Sequence, residues 1–300
     1  MQYGEWLNEW LENTVKPTVK ERTYETYGRI IERKIVPRLG SYELGELTPA
    51  VLQACTAELS QAYAANTVNG VVAVLKSSLE RARQTGLVEK QFADSIKRPK
   101  TAEKQVACFT ESEQKKIEAY ILQGRKDKLF GILLCLYTGL RIGELLALTW
   151  ADIDFDTACV AVTKSGRDAW ENGKYRKKID TPKTPTSRRC IPLPRSLLPL
   201  LRALKKRSTG EAVVGGAKSV SVRSYQRTFE LLLKRLGIAH KGFHALRHTF
   251  ATRALECGMD VKTLSELLGH KNATVTLNRY THSLFEHKTA MMNKLGKRLG

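Results

Sequence analysis

The chain lacks the features that would put it in a membrane or outside the cell. Nowhere do apolar residues run to the ~20 in a row that a bilayer-spanning helix needs. The start, Met1-Gln2-Tyr3-Gly4-Glu5-Trp6, has no basic stretch followed by an apolar run, so no secretory signal is expected. The six cysteines, Cys55, Cys108, Cys135, Cys159, Cys190 and Cys257, are scattered without a Cys-x-x-Cys pair. That argues against a zinc site or a disulfide framework and fits a reducing cytosol, so a cytoplasmic protein is expected. There is no glycine-rich phosphate loop and no acidic metal cluster, so the expectation is no cofactor and no metal. No internal repeat or low-complexity tract occurs.

Negative charge is scarce as well. Acidic residues number 30 against 50 basic ones, a formal net charge of +20. Residues 1–100 hold 14 basic and 12 acidic side chains, or +2, and residues 101–300 hold 36 and 18, or +18. Such a surface suits a polyanion, because neutralising phosphates releases condensed counterions. Charge alone implies no chemistry; a ribosomal or other RNA-binding protein would look the same. The length of 300 residues allows about two domains at roughly 100–200 residues each. A hydrophobic share of 42% is ordinary for a folded protein.

Residues 1–96 read as a helical bundle. Tyr3, Trp6, Leu7, Trp10 and Leu11 fall on one helical face. A second helix carries Tyr24, Tyr27, Ile31 and Ile35 and is expected to stop before Pro37 and Gly40. Thr48-Pro49 reads as an N-cap with proline at the first helical position, opening a helix through Val51, Leu52 and Cys55. A longer helix holds Val68, Val72, Leu75, Leu79 and Ala82, with Gly86 just past its end. Residues 97–107 read as a basic linker, and Thr110 with Glu113 as a capping box that opens the second domain, 108–300.

That second part begins with an apolar helical run from Phe130 to Trp150, interrupted at Thr138-Gly139. A strand is expected over Ala158–Thr163, then a polar, charged stretch, then a strand over Arg188–Leu193 ended by Pro194. The remainder reads as helical, with Asp260 as an N-cap and Gly258 and Gly269 as punctuation.

Four segments carry candidate chemistry. In Thr138-Gly139-Leu140-Arg141-Ile142-Gly143-Glu144-Leu145, an arginine in an apolar run needs a partner, and Glu144 three residues on is the plain structural one. In His244-Ala245-Leu246-Arg247-His248, His244 and Arg247 share a helical face. The His244–His248 spacing could hold a metal, but no third ligand follows at a usual distance and the intervening arginine would repel a cation. Leu267-Leu268-Gly269-His270 and Asn278-Arg279-Tyr280-Thr281-His282 complete the set. Taken singly, His270 suits a helix end and Tyr280 suits half-buried packing.

Taken together and in order, Arg141, His244, Arg247, His270 and Tyr280 resemble the signature of the tyrosine recombinases, or phage integrase family. The flanking strings T-G-L-R-I-G-E-L, F-H-A-L-R-H-T-F-A-T, L-G-H and R-Y-T-H match as well. The resemblance covers roughly residues 108–285 as a catalytic domain and, more weakly, residues 1–95 as the helical core-binding domain.

The resemblance implies a mainly α (α+β) fold: an N-terminal SAM-like helical bundle and a catalytic domain with a small antiparallel sheet. It implies a site-specific recombinase that cleaves and rejoins DNA through a phosphotyrosyl intermediate, for integration or excision of a mobile element. Tyr280 would be the nucleophile. Arg141 and Arg247 would grip the non-bridging oxygens, and His244 and His270 would hydrogen-bond the phosphate and assist proton movement. The family's general-acid lysine lies on a hairpin between the first arginine and the H-x-x-R helix; here the candidate is Lys183, with Lys177 and Lys178 as alternatives. Glu144 would orient Arg141.

The chemistry is coherent. Guanidinium forks hold an anionic transition state at any pH. A tyrosyl phosphodiester keeps the energy of the broken bond, so rejoining needs neither ATP nor metal. The implied partners are double-stranded DNA, a homotetramer on two DNA sites, and excision or host DNA-bending factors, in a bacterial or phage-infected cytoplasm on the nucleoid. Many relatives carry an extra arm-binding domain before the core-binding helices; a naturally short recombinase and a trimmed one remain alternatives. A type IB topoisomerase shares the tyrosine chemistry, and an inactive DNA-binding accessory would share the fold. The tail after Tyr280 reads as a short amphipathic helix, with Leu284, His287, Met291, Leu295 and Met292 on one face, docking on a neighbouring protomer or on its own domain.

Overall fold

The computed structural model describes residues 1–89, 95–101, 107–124, 127–171, 174–180, 188–270 and 285–299. The chain divides into two units, Met1–Lys104 and Gln105–Gly300.

The first unit is helical. Its main helices are α1 (Tyr3–Trp10), α2 (Glu21–Ile30), α3 (Pro49–Ala62) and α4 (Ala65–Gln84). The stripe Tyr3, Trp6, Leu7, Trp10 and Leu11 is buried as its spacing requires. Two polar tips of that stripe find partners on α4: the Tyr3 hydroxyl lies 2.8 Å from Ser78 Oγ, and Trp6 Nε1 donates to the Ser78 carbonyl at 3.1 Å. Thr48 caps α3 by accepting from the Val51 N–H at 3.3 Å. The second helix does not stop before Pro37. Ile31–Ile35 widens into a π turn, and Val36–Leu39 continues helically. The same sequence of events follows α1, where the π turn Leu11–Val15 precedes Pro17. A proline ring clashes with the carbonyl four residues back, and a widened turn before it removes the clash.

The second unit packs helices around a large apolar core and a smaller cluster of Ala251, Ala254, Leu255, Leu264 and Leu268, with small antiparallel sheets, the mainly α architecture expected. Thr110 and Glu113 form the anticipated capping box, which opens α5 (Glu111–Gln123). The central helix α6 (Phe130–Thr138) has Ile132, Leu133, Leu134 and Cys135 all buried. It ends at Gly139, and a short helix α7 (Ile142–Ala147) follows.

Strands β1 (Ile153–Asp154), β2 (Cys159–Val162) and β5 (Arg189–Pro192) form one antiparallel sheet in the order β1-β2-β5. The stretch between β2 and β5, read from sequence only as polar and charged, contains a hairpin. Its strands β3 (Ser165–Glu171) and β4 (Lys174–Asp180) pair from Ser165 opposite Asp180 to Glu171 opposite Lys174.

Four further helices follow: α8 (Leu198–Arg207), α9 (Val222–Arg235), α10 (His244–Glu256) and α11 (Val261–Leu268). A last helix, α12 (Phe285–Leu299), follows. Asp168 on β3 fastens the hairpin to α9: its carboxylate accepts from the Val222 and Arg223 N–H groups at 2.9 and 3.0 Å. Among the described residues no helix is long and apolar enough to cross a membrane.

Cys159 and Cys190, scattered in sequence, lie close together across the β2–β5 pair, with Cα atoms 6.1 Å apart. The β2–β5 register sets Cys190 opposite Ala161, two residues from Cys159 on the same face. A separation of 31 residues and the absence of any local cysteine motif concealed that proximity.

Candidate active site

The site is assembled where two helices end. Gly139 closes α6 with φ +65° and Gly269 closes α11 with φ +64°, left-handed conformations that suit glycine. At Gly139 a Cβ would also lie 2.5 Å from the Phe250 ring. Helix C-termini present unpaired carbonyls and a partial negative charge, so both ends attract cations.

Arginines take up those carbonyls. Arg247, on α10, is 1% exposed and reaches both ends: Nη1 donates to the Gly139 carbonyl at 2.8 Å and Nη2 to the Leu268 carbonyl at 2.6 Å. Arg141 Nη2 donates to the Gly269 carbonyl at 3.3 Å. Arg189, on β5, donates from Nε to the Leu267 carbonyl at 2.6 Å. Three consecutive carbonyls at the end of α11 are therefore held by three guanidinium groups from three separate elements. His270 follows directly, with its Nε2 2.9 Å from Arg247 Nη2.

Arg141 is not inside a helix, as the apolar run around it suggested; it is the N-cap residue of α7. Its partner is Glu144. One carboxylate oxygen accepts from Arg141 Nη1 at 2.8 Å, and the other from the Arg141 backbone N–H at 2.9 Å. Arg189 donates to the same two oxygens, at 3.0 and 2.8 Å. Burial would push the Glu144 carboxyl up. The hydrogen bonds and charge of Arg189, with the charge of Arg141, outweigh it and hold the group at about 2. Glu144 is thus a buried anion between two cations, while the Arg141 side chain stays 36% exposed.

His244 is the first residue of α10 and is exposed. Its ring meets that of His248 edge to face, with centroids 4.6 Å apart. Among the described residues no group of three or more histidine, cysteine or acidic side chains could hold a metal. Lys177, on β4, donates its ammonium to the Leu146 carbonyl, and burial lowers its affinity for a proton. Lys183 and Tyr280 lie outside the described residues. Of the six expected residues, the structure brings Arg141, Arg247 and His270 to one point and sets His244 one turn before Arg247.

Arg189 escaped the sequence reading, although a signal was present. In Arg189-Cys190-Ile191-Pro192-Leu193 the alternation that buries Ile191 and Leu193 also turns Arg189 inward. A charged residue on the core face of a strand needs a buried partner.

Comparison with known proteins agrees with this geometry. The phage integrase family model matches residues 101–287, and the model of the phage integrase N-terminal SAM-like domain matches residues 2–60. The chain belongs to the phage integrase family, the tyrosine recombinases. A XerC-like tyrosine recombinase of Caldanaerobacter subterraneus subsp. tengcongensis is 35% identical over 215 residues, covering 64% of this chain and 54% of that protein. This chain therefore spans about half the length of that relative. The transposase of transposon Tn916 from Enterococcus faecalis is 28% identical over 314 residues, covering 95% of this chain and 76% of the transposase. Among solved structures, the Tn1549 transposon integrase in complex with a circular intermediate DNA superposes with a TM-score of 0.81 at 25% identity, covering 98% of this chain and 99% of that one. A lambda integrase tetramer on a Holliday junction shares the fold, with a TM-score of 0.74 at 21% identity over 91% of this chain and 79% of that one.

Proposed function

We propose that the chain is a site-specific DNA recombinase that cuts and rejoins duplex DNA through a 3′-phosphotyrosyl link to Tyr280, in the integration and excision of a mobile element. The observation that carries this reading is the convergence of Arg141, Arg247 and His270 at the end of α11. The transposon origin of two relatives supports the mobile-element part of it.

In the proposed reaction the Tyr280 oxygen attacks the scissile phosphorus. The oxygen–phosphorus bond forms as the bond to the 5′-oxygen breaks. Arg141 and Arg247 balance the charge that builds on the non-bridging oxygens. Lys183 gives a proton to the departing 5′-oxygen. His244 and His270 hydrogen-bond the phosphate and assist in moving the phenolic proton. Glu144 holds Arg141 in place. Attack by a 5′-hydroxyl from another strand reverses these steps and reseals the backbone, with the ester supplying the energy.

Residues 1–96 would then act as a core-binding DNA domain, 97–107 as a linker and 108–300 as the catalytic domain. The +18 excess of residues 101–300 suits a duplex backbone. Exchange of four strands calls for a homotetramer on two sites, working on nucleoid or phage DNA in the cytoplasm, with excision or DNA-bending proteins as accessories. A duplex enriched by binding from a random pool, nicked beside the cleavage position, tests the reading. The expected product is a covalent protein–DNA band on a denaturing gel, and with two intact duplexes, exchanged segments. Absence of any covalent band overturns it; relaxed circles without exchange point to a topoisomerase.

A further inference from the structure

Arg189 is a charged residue in a place where a strand normally buries an aliphatic one. It faces inward with Ile191, and its side chain is 6% exposed. Its guanidinium meets the Glu144 carboxylate fork to fork, Nη1 to one oxygen at 3.0 Å and Nη2 to the other at 2.8 Å. The third donor, Nε, reaches the Leu267 carbonyl at 2.6 Å. Gly269 roofs the group: a Cβ there would lie 3.1 Å from Arg189 Nη1. One side chain from the sheet thereby touches both the head of α7 and the end of α11.

Each of those two attachments leads one bond further, to a residue of the candidate site. Both Glu144 oxygens that accept from Arg189 also accept from Arg141, through Nη1 and the backbone N–H. The end of α11 that Arg189 holds at Leu267 is the end that Arg247 holds at Leu268, and it carries His270. A buried ion pair is weak as a source of stability, because desolvation offsets the attraction. A planar fork engaged at three points is strong as a source of orientation.

We propose that Arg189 is a positioning residue for phosphoryl transfer, which through Glu144 sets the direction of Arg141 and through Leu267 sets the height of His270 against Arg247. The inference rests on the recombinase reading above. Arg189 does not touch DNA; it acts by fixing two groups that do. Arg141, at the mouth of α7, is the more exposed of the two phosphate-gripping arginines and depends most on such a support.

The charged and titratable groups around Glu144 are Arg141 at the head of α7, Arg189 on β5 and the buried Cys135 thiol on α6, with Lys177 on β4, Arg247 and His270 beyond them. Removing the Arg189 charge leaves Glu144 buried with Arg141 as its nearest cation, so its proton affinity rises. A protonated Glu144 has lost an acceptor for Arg141. Cleavage by Arg189→Gln should therefore gain an acid-side fall, set by Glu144, in addition to any that the wild type shows. Arg189→Lys keeps a positive charge there and should not show it.

The experiment measures single-turnover covalent-complex formation on the nicked duplex against pH, alongside half-site binding by gel shift. For Arg189→Gln the expected result is a cleavage rate lower by on the order of 100-fold, as for a misplaced catalytic group, with half-site binding nearly unchanged and the new acid-side fall present. For Arg189→Lys the expectation is a loss of roughly tenfold from the missing fork, with the wild-type pH profile. Should thermal melting find Arg189→Gln unfolded at the assay temperature, Arg189→Lys decides: a wild-type cleavage rate overturns the proposal. Equal losses of binding and cleavage, or identical pH profiles in all three proteins, also overturn it. If the wild type forms no covalent complex at all, the recombinase reading falls and takes this proposal with it.

Discussion

Arg247 Nη2 lies 2.9 Å from Nε2 of His270, within hydrogen-bond distance. A guanidinium has donors only, so in a hydrogen bond between the two Nε2 is the acceptor. The same arginine is buried under two helix ends, whereas Arg141 is 36% exposed in its side chain. The two arginines should consequently fail in different ways. Arg141→Ala should lower the cleavage rate by about 2.7–4 kcal/mol of transition-state stabilisation, the scale of one oxyanion donor, while melting close to the wild type. Arg247→Ala should lose cleavage as well and also melt lower, since the Gly139 and Leu268 carbonyls each lose a buried partner at about 1–3 kcal/mol apiece. Urea melts beside the covalent-complex assay distinguish them; equal melting of Arg247→Ala and wild type would remove Arg247 from its structural position.

Glu144 makes the second unit sensitive to acid. Its folded-state value of about 2 lies below the ordinary 4.5. A depressed carboxyl contributes stability that is complete above about pH 4.5 and disappears as the pH falls toward 2. Glu144→Gln should melt lower at pH 7 and show a flatter fall of melting temperature through that acid window. Parallel curves for the two proteins from neutral pH to the bottom of the window would contradict the ion-pair account.

Much of this arrangement is legible in the chain. The helical stripe of Tyr3, Trp6, Leu7 and Trp10, the caps at Thr48, Thr110 and Asp260, and the stops at Gly139 and Gly269 all depend on near neighbours, which a local pattern records. The hairpin β3–β4 was passed over because its strands are too charged to alternate cleanly, although they flank Asn172-Gly173, the strongest short-range hairpin signal in sequence. The Cys159–Cys190 contact and the Arg189–Glu144 fork depend on the β2–β5 pairing and on strand-to-helix packing, over 31 and 45 residues, which no local pattern contains. Arg141 and Glu144 were legible as a pair; the hold of Arg141 on the Gly269 carbonyl at the end of α11, 128 residues away, was not.

Tyr280, the proposed nucleophile, gives the sharpest test of chemistry. Tyr280→Phe removes one oxygen and little else. Half-site binding should stay at the wild-type level and the covalent band should vanish from a denaturing gel. A band of the same mobility in the mutant would move the nucleophile elsewhere.

Lys183 is proposed to protonate the leaving 5′-oxygen. Lys183→Ala should cut ordinary DNA far more slowly, because an alkoxide is a poor leaving group. A duplex with sulfur at the 5′-bridging position should restore most of the rate, since a thiolate departs without a proton. Failure of sulfur to restore cleavage would pass the role to Lys177 or Lys178.

The last helix, α12, should govern assembly and not chemistry. Met292, Leu295 and Leu299 on it are 65%, 47% and 80% exposed. Lysines and an arginine are interspersed, so the helix carries apolar side chains that water does not favour beside charges that keep it soluble. A helix of this length is marginal alone and gains from a surface that covers its apolar residues. On the reading that it docks on a neighbouring protomer, deletion of residues 286–300 should leave binding to a half-site nearly intact. Occupancy of the full site should become less cooperative, because the contact between protomers is what the deletion removes. Cleavage should also lose its order between the two strands, as the segment leading into the helix carries Tyr280. Gel-shift titrations on half and full sites measure the first effect, and strand-specific labels on the nicked duplex the second. Unchanged cooperativity would mean that the helix is covered by its own chain, in which case the deletion should instead lower the melting temperature of the free protein.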